Sequence, residues 1–155
     1  MKIFRSLDEI KDIDNTAVAV GNFDGVHKGH RALIENTVKT AAISGHKSAV
    51  FTFSNHPKNA LAGKTVIKRI MYRDDKEDVI EKLGVDYLFS IPFTDDICTM
   101  PAENFINDLL IDKFHMKELC CGFDYHFGYK AAGNVKMLLD AALKSEFGLH
   151  VIPPF

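Results

Sequence analysis

Apolar residues along this chain form short runs typical of strands, separated by longer stripes typical of helices. The runs Thr16 to Val20 and Ser48 to Phe53 are rich in β-branched and aromatic residues, which favour strands. Between them the apolar positions follow a helical period, so we predict a helix that starts near Val26 to Gly29 and ends before Gly45. The residues on that stripe are Leu33, Ile34, Thr37, Val38, Ala41 and Ala42.

The second half of the chain repeats this alternation of strands and helices. Pro101 suits the first position of a helix, and Asn134 can cap another that runs to Phe147. About twenty residues with weak periodicity, 54 to 73, predict a long loop. The remaining predicted elements are a helix over Asp74 to Leu83 and strands over Tyr87 to Ile91, Leu119 to Gly122 and Leu149 to Ile152.

This alternation predicts an α/β domain over 1–155, with about five parallel strands and helices on both faces of the sheet. Ligands of such sheets bind beyond the carboxyl ends of the strands, near the point where the strand order reverses. Three segments should meet at that edge, namely Gly21 to His30, Ser54 to Arg73 and Gly122 to Gly133. We expect the first and third to form one cleft, with Asp124 on the far side from His27.

Composition narrows the function classes. The chain is 46% hydrophobic and 26% charged, as is usual for a globular protein. Its net charge is -2, so it lacks the overall excess of basic residues that is usual in nucleic-acid binders. No apolar run is long enough to span a bilayer, and the charged start M-K-I-F-R-S-L-D-E-I does not resemble a signal peptide. The three cysteines form no C-x-x-C pair, and adjacent Cys120 and Cys121 should point to opposite faces of a strand. We therefore expect a cytoplasmic protein without nucleic-acid or membrane partners.

The stretch G-N-F-D-G-V-H-K-G-H, residues 21 to 30, carries the candidate chemistry. Glycines let the backbone approach a ligand, and a helix N-terminus offers free N–H groups to phosphate. His27 and His30 lie on neighbouring positions of one helix face and could donate hydrogen bonds to phosphoryl oxygens. Packing histidines and a zinc site remain alternatives; zinc would need further ligands, and His56 is the obvious nearby candidate.

The residues His27-Lys28-Gly29-His30 match the H-x-G-H signature of nucleotidylyltransferases, and the longer stretch resembles bacterial FAD synthetases. Those enzymes join an FMN adenylyltransferase domain to a riboflavin kinase domain. The likeness extends over nearly the whole chain. It includes T-F-S-N-H-P (52 to 57), L-G-V-D-Y-L (83 to 88), P-F-T-D-D (92 to 96), A-E-N-F-I (102 to 106), G-F-D-Y-H-F-G (122 to 128) and V-I-P-P (151 to 154).

The resemblance implies a Rossmann-like nucleotidylyltransferase fold and a reaction of ATP with FMN that gives FAD and pyrophosphate, assisted by Mg²⁺. It implies that His27 and His30 are catalytic. It implies no side chain that binds a metal permanently. The nucleotide-binding residues it implies are Gly21, Asn22, Phe23, Asp24, Gly25, Gly29 and Asp124. The flavin-binding residues it implies are Asn55, His56, Pro57, Phe127 and Gly128.

Three departures leave other functions open. The family usually has F-D-P-H-P where this chain has Phe53-Ser54-Asn55-His56-Pro57, and His126 stands where an arginine is frequent. Family members also continue beyond the position of Phe155, into a serine-rich segment with a phosphate-binding arginine and then the kinase domain. A catalytically silent relative that binds nucleotide or flavin is one alternative, and an H-x-G-H transferase with another acceptor is a second.

From the resemblance we expect the 155-residue chain alone to make FAD slowly or not at all, while still binding FMN or ATP weakly. The reason is that an arginine held against phosphate makes charge-assisted, often bidentate, hydrogen bonds. The measurement is FAD formation by this chain and by the gene-encoded full-length protein, side by side. Equal rates would show that the additional segment is dispensable, and inactivity of both would favour the silent relative.

Overall fold

A six-stranded sheet forms the centre of the molecule, for which the computed structural model describes residues 1–21, 23, 28–55 and 73–153. The strands are β1 (Lys2–Phe4), β2 (Thr16–Val20), β3 (Lys47–Phe53), β4 (Tyr87–Ile91), β5 (Met116–Gly122) and β6 (Gly148–Ile152). Their order is β1-β4-β3-β2-β5-β6, and every neighbouring pair is parallel. The predicted α/β class and the five predicted strands are confirmed.

β1 is the strand that the sequence pattern did not indicate. It has only three residues and pairs with β4 at one edge of the sheet, with Phe4 opposite Phe89. Three residues are too few to show a period of two, so the sequence pattern could not predict this strand. It forms because β4 supplies a hydrogen-bonding partner for its backbone.

Helices cover both faces of this sheet. They are α1 (Lys28–Ser44), α2 (Arg73–Lys82), α3 (Asp95–Cys98), α4 (Ala102–Asn104), which continues as a π-helix (Phe105–Lys113), and α5 (Val135–Ser145). Single 3-10 turns occupy Leu7–Glu9 and Tyr129–Ala131. The predicted cap of the last helix is confirmed, because Asn134 Oδ1 accepts a hydrogen bond from Met137 N at 2.9 Å. That helix ends at Ser145, two residues before the predicted Phe147.

The central strand β2 is buried along its whole length and divides the apolar interior into two cores. Val18 and Val20 contribute to the larger core, which also contains Phe105 and Leu138 from the helices of that face. Ala19 points the other way, into a smaller core with α1 and α2. Cys121 and Cys120 divide between the two cores in the same manner, which confirms that these neighbours point to opposite faces.

Aromatic rings fill much of the larger core. The rings of Phe89 and Phe114 stack with their centroids 4.4 Å apart, and Phe51 lies 4.9 Å from Phe114. These side chains are almost completely buried. Their contacts tie β3 and β4 to the segment that precedes β5.

The strand order reverses between β2 and β5. From β2 the chain moves outward through β3 to β4, and it then returns to place β5 on the other side of β2, with Ala19 opposite Cys120. Because the two strands are parallel, Gly21 and the chain after Gly122 leave the sheet at the same edge. This confirms that the two strands preceding these loops are neighbours and end at the same edge, as predicted.

Gly128 and Gly45 both have positive φ angles but differ in their surroundings. Gly128 has φ +82° and ψ -178°, a conformation that is essentially restricted to glycine, and a Cβ there would lie 2.7 Å from Ala102 Cα. Gly45 has φ +74°, and a Cβ there would meet no atom within 4 Å. Gly128 therefore allows the loop after β5 to dock on the start of α4.

We expect Gly128→Ala to lower the free energy of unfolding by about 3 kcal/mol, because backbone strain and overpacking each cost about 1–3 kcal/mol. The matched control Gly45→Ala should cost only about 1–2 kcal/mol, the strain of a left-handed residue with a side chain. Urea unfolding of both variants measures the difference. Equal losses would show that the contact with Ala102 does not restrict position 128.

Candidate functional site

Phe23, which follows β2 and Gly21, belongs to the smaller core. Its side chain is fully buried, although its φ angle of +59° lies in the left-handed region. Such a conformation costs a bulky residue about 1–3 kcal/mol, which burial of a phenylalanine side chain, at about 1.5–3 kcal/mol, can offset. Gly21 lies against this ring, since a Cβ at that position would be 3.2 Å from it.

His30 lies in the first turn of α1, next to the buried ring of Phe23. The two ring centroids are 5.1 Å apart, with an interplanar angle of 64°, so the rings meet edge to face. The His30 side chain is half-buried, whereas Lys28 at the start of the helix is exposed. Of the predicted loop residues, Asn22, Asp24, Gly25 and His27 lie outside the described residues.

The charges at the start of α1 are unusual for a helix. Lys28 and Arg31 are both exposed there, and the first turn contains no acidic residue. The helix dipole places partial positive charge at this end, where acidic side chains are normally favoured. Among the described residues, the start of this helix therefore carries two cations and no acid, a charge balance that suits an anion such as phosphate.

The loop after β5 begins with a tight turn at the same edge. Phe123 N donates to Ile152 O at 3.0 Å, and Tyr125 N donates to Gly122 O at 3.2 Å. These bonds hold the predicted nucleotide-binding residue Asp124 at the tip of the turn, where it is exposed. Its carboxylate is therefore accessible to a ligand at the carboxyl edge of the sheet.

The three alternating aromatic residues of this loop have different surroundings. Phe127 is buried, with its ring centroid 5.2 Å from that of Phe105. The ring of Tyr125 stacks on that of Phe127, with centroids 5.5 Å apart. Burial raises the pKa of the Tyr125 phenol well above its usual range, so it stays protonated. Phe123, in contrast, is 53% exposed. The ring of Phe127 thus has a packing role, and the flavin contacts predicted for Phe127 and Gly128 stay predictions.

The predicted flavin-side residue Asn55 joins two loops. Its Oδ1 accepts a hydrogen bond from Phe93 N at 2.7 Å, and the preceding Ser54 N donates to Ile91 O at 2.9 Å. The end of β3 is therefore connected to the chain that follows β4. His56 and Pro57 lie outside the described residues, so their roles stay predictions.

His126, which stands where an arginine was expected, also has a structural contact. Its Nδ1 lies 3.2 Å from Gly133 O, within the short pairing of Phe127 with Gly133 that closes the loop after β5. Within the described ranges, no three His, Cys, Asp or Glu residues are grouped as a metal site. His56, the extra ligand that a zinc site would use, lies outside those ranges.

The sequence did not indicate the packing role of Phe23, for which the family resemblance implies only nucleotide binding. A phenylalanine gives no sign of a positive φ angle, because that region normally favours glycine, asparagine or aspartate. The available signal was its position between glycines in a turn that precedes a helix. Its core also contains residues that are distant in sequence, such as Val50 of β3 and Cys120 of β5.

A six-stranded parallel sheet that reverses its strand order beside the start of a helix has the architecture of a Rossmann-like α/β protein. The family model for FAD synthetase matches residues 9–155. The chain therefore belongs to the FAD synthetase family, and the resemblance seen in the sequence is confirmed.

Relatives carry the name bifunctional riboflavin kinase/FMN adenylyltransferase. The chain is 32% identical to one from Buchnera aphidicola (subsp. Schizaphis graminum) over 95% of its length, and 35% identical to one from Listeria monocytogenes over 83%. It covers 47% and 40% of those proteins, respectively. One from Escherichia coli K12 is 29% identical over 97% of this chain and 48% of its own length. The chain thus spans about half the length of these relatives.

Two solved structures resemble the fold. One, described as a macrolide-efflux protein from Streptococcus pneumoniae, has a TM-score of 0.85 at 25% identity and covers 98% of this chain and 49% of that one. A universal stress protein from Archaeoglobus fulgidus has a TM-score of 0.53 at 12% identity, over 90% of this chain and 94% of that one, and shares the fold alone. Among the described residues of this chain, no helix is long and apolar enough to cross a membrane.

We expect Cys120 and Cys121 to resist alkylation in the folded protein, because the thiolate is the reactive form. Burial raises the pKa of both thiols, that of Cys121 to about 12. Both therefore stay protonated at pH 8, whereas the half-buried Cys98 should react first. Mass spectrometry of peptides after brief iodoacetamide treatment measures this order. Equal labelling of all three cysteines in the folded protein would contradict it, and labelling in denaturant is the control.

Proposed function

We propose that this chain is the FMN adenylyltransferase part of an FAD synthetase, which transfers AMP from ATP to FMN and releases pyrophosphate. The observation that carries the proposal is the start of α1, where His30 lies with the exposed Lys28 and Arg31 after the central strand β2. The family match over residues 9–155 supports it.

In the proposed reaction, an oxygen of the FMN phosphate attacks the α-phosphorus of ATP. A new P–O bond forms as the bond to the bridging oxygen breaks, and pyrophosphate leaves with the electron pair of that bond. No covalent intermediate with the protein is formed. His30, the backbone N–H groups at the start of α1 and the predicted partner His27 would donate hydrogen bonds to the phosphoryl oxygens, whose charge rises in the transition state.

The loop after β5 would supply the other side of the site. The exposed Asp124 would contact the nucleotide, and the exposed ring of Phe123 offers a flat apolar surface for stacking. ATP would enter with Mg²⁺, which is usually held by one or two carboxylates together with substrate phosphates. The exposed carboxylate of Asp124 would be one candidate to contribute to such a complex.

The names and lengths of the relatives support a second proposed feature, a riboflavin kinase domain in the full-length protein. Such a domain would supply FMN to the site described above. The cytoplasmic location expected from the sequence likewise stays a prediction.

We expect His30→Ala or His27→Ala in the full-length protein to lower kcat for FAD formation by about 10²–10³, the usual loss for one oxyanion donor. The melting temperature of His30→Ala should fall only slightly, because one edge-to-face contact with Phe23 is lost. His46→Ala is the matched control, because His46 lies between α1 and β3 at the opposite edge of the sheet and should retain wild-type turnover.

The same assay distinguishes the alternative functions. Wild-type turnover in folded His27→Ala and His30→Ala variants would contradict the proposed role of these histidines. An intact protein that binds ATP or FMN by calorimetry but forms no FAD would indicate a silent relative. Transfer of a nucleotidyl group to an acceptor other than FMN would indicate a different H-x-G-H transferase.

A further inference from the structure

We propose that Phe23 is a positioning residue, whose buried ring holds the imidazole of His30 in the orientation that phosphoryl transfer needs. The inference rests on the proposed function and assigns Phe23 a role distinct from contact with the nucleotide. Its basis is the edge-to-face contact between the two rings together with the complete burial of one of them.

The geometry places Phe23 in the smaller core and in contact with His30. Its ring belongs to the smaller core, which contains residues of β2, α1, β3 and β5, including Ala19, Leu33 and Cys120. Because the ring is fully buried, it is not accessible to a nucleotide. Its edge-to-face partner His30 is half-buried, with part of its surface facing solvent. The ring therefore acts on a ligand only through the groups that it supports.

The backbone at Phe23 indicates that this arrangement is maintained against strain. A left-handed φ angle of +59° is uncommon for a bulky residue, and such outliers occur where surrounding structure overdetermines the conformation. Here the surroundings are the core that encloses the ring and Gly21, whose lack of a side chain leaves room for it. A flat imidazole next to a fixed ring has few orientations available, so the direction of its N–H groups is restricted.

Orientation matters because a hydrogen-bond donor stabilises the transition state only where charge develops. Misplacement of a catalytic group by about 1 Å can lower a rate about 100-fold. Loss of the Phe23 ring should therefore reduce kcat while leaving the KM values for ATP and FMN nearly unchanged. A structural role alone would lower stability without this selective effect.

The test is a double-mutant cycle in the full-length protein, with Phe23→Leu, His30→Ala and their combination. Leucine retains an apolar side chain but lacks the aromatic edge. We expect Phe23→Leu to lower kcat about 10- to 100-fold in the wild-type background. In the His30→Ala background it should lower kcat by less than about threefold, because the group that it positions is absent. An equal factor in both backgrounds would overturn the proposal.

Phe114→Leu is the matched control. Phe114 is as deeply buried as Phe23 but belongs to the larger core on the other face of the sheet. We expect it to lower the melting temperature about as much as Phe23→Leu while keeping kcat within about threefold of wild type. A similar loss of kcat in both variants would identify general destabilisation and overturn the proposal. If Phe23→Leu does not fold, Phe23→Met provides the same comparison.

A spectroscopic measurement separates this inference from the proposed function. Ring centroids 5.1 Å apart predict nuclear Overhauser effects between the ring protons of Phe23 and His30, and a shift of the His30 resonances in Phe23→Leu. Absence of both would overturn the positioning role whatever the activity. Their presence in a protein that forms no FAD would support the ring contact and contradict the proposed reaction.

Discussion

The parallel pairing of β2 with β5 is the constraint on which the rest of the structure depends. β2 is buried on both faces, with Val18 and Val20 in the larger core and Ala19 in the smaller one. The pairing also sets the point at which the strand order reverses. Backbone hydrogen bonding, burial and the location of the candidate site are thus coupled at a single pair of strands.

The two loops at this edge are held in different ways. The turn after β2 is held by a buried aromatic side chain, with its backbone strained to reach the core. The loop after β5 is held by backbone hydrogen bonds and by the close approach of Gly128 to α4. Both arrangements leave polar groups at the edge at least partly accessible to solvent. Asp124 is exposed for this reason, and His30 is only half-buried.

Much of the architecture could be predicted because it depends on short-range patterns. The strands β2 and β4 begin and end where their apolar runs do, and Asn134 caps the helix that follows it. The opposite orientations of Cys120 and Cys121 follow from the period of a strand. β1 could not be predicted in this way, since its three residues become a strand only beside β4. The same limit applies to the predicted site residues. The motifs identify which loops carry them but not which contacts their side chains make.

The sequence by itself determined five of the six strands, the long helices between them, the glycine- and histidine-containing motif and membership of the FAD synthetase family. These properties reside in local periodicity and in motifs whose residues are neighbours along the chain. Only the tertiary structure decided that Phe23 faces the core, that Phe127 packs while Phe123 remains exposed, and that Asn55 binds the backbone of Phe93. The physical reason is that burial and hydrogen bonding at these positions depend on partners from distant parts of the chain, which meet only when the sheet has formed.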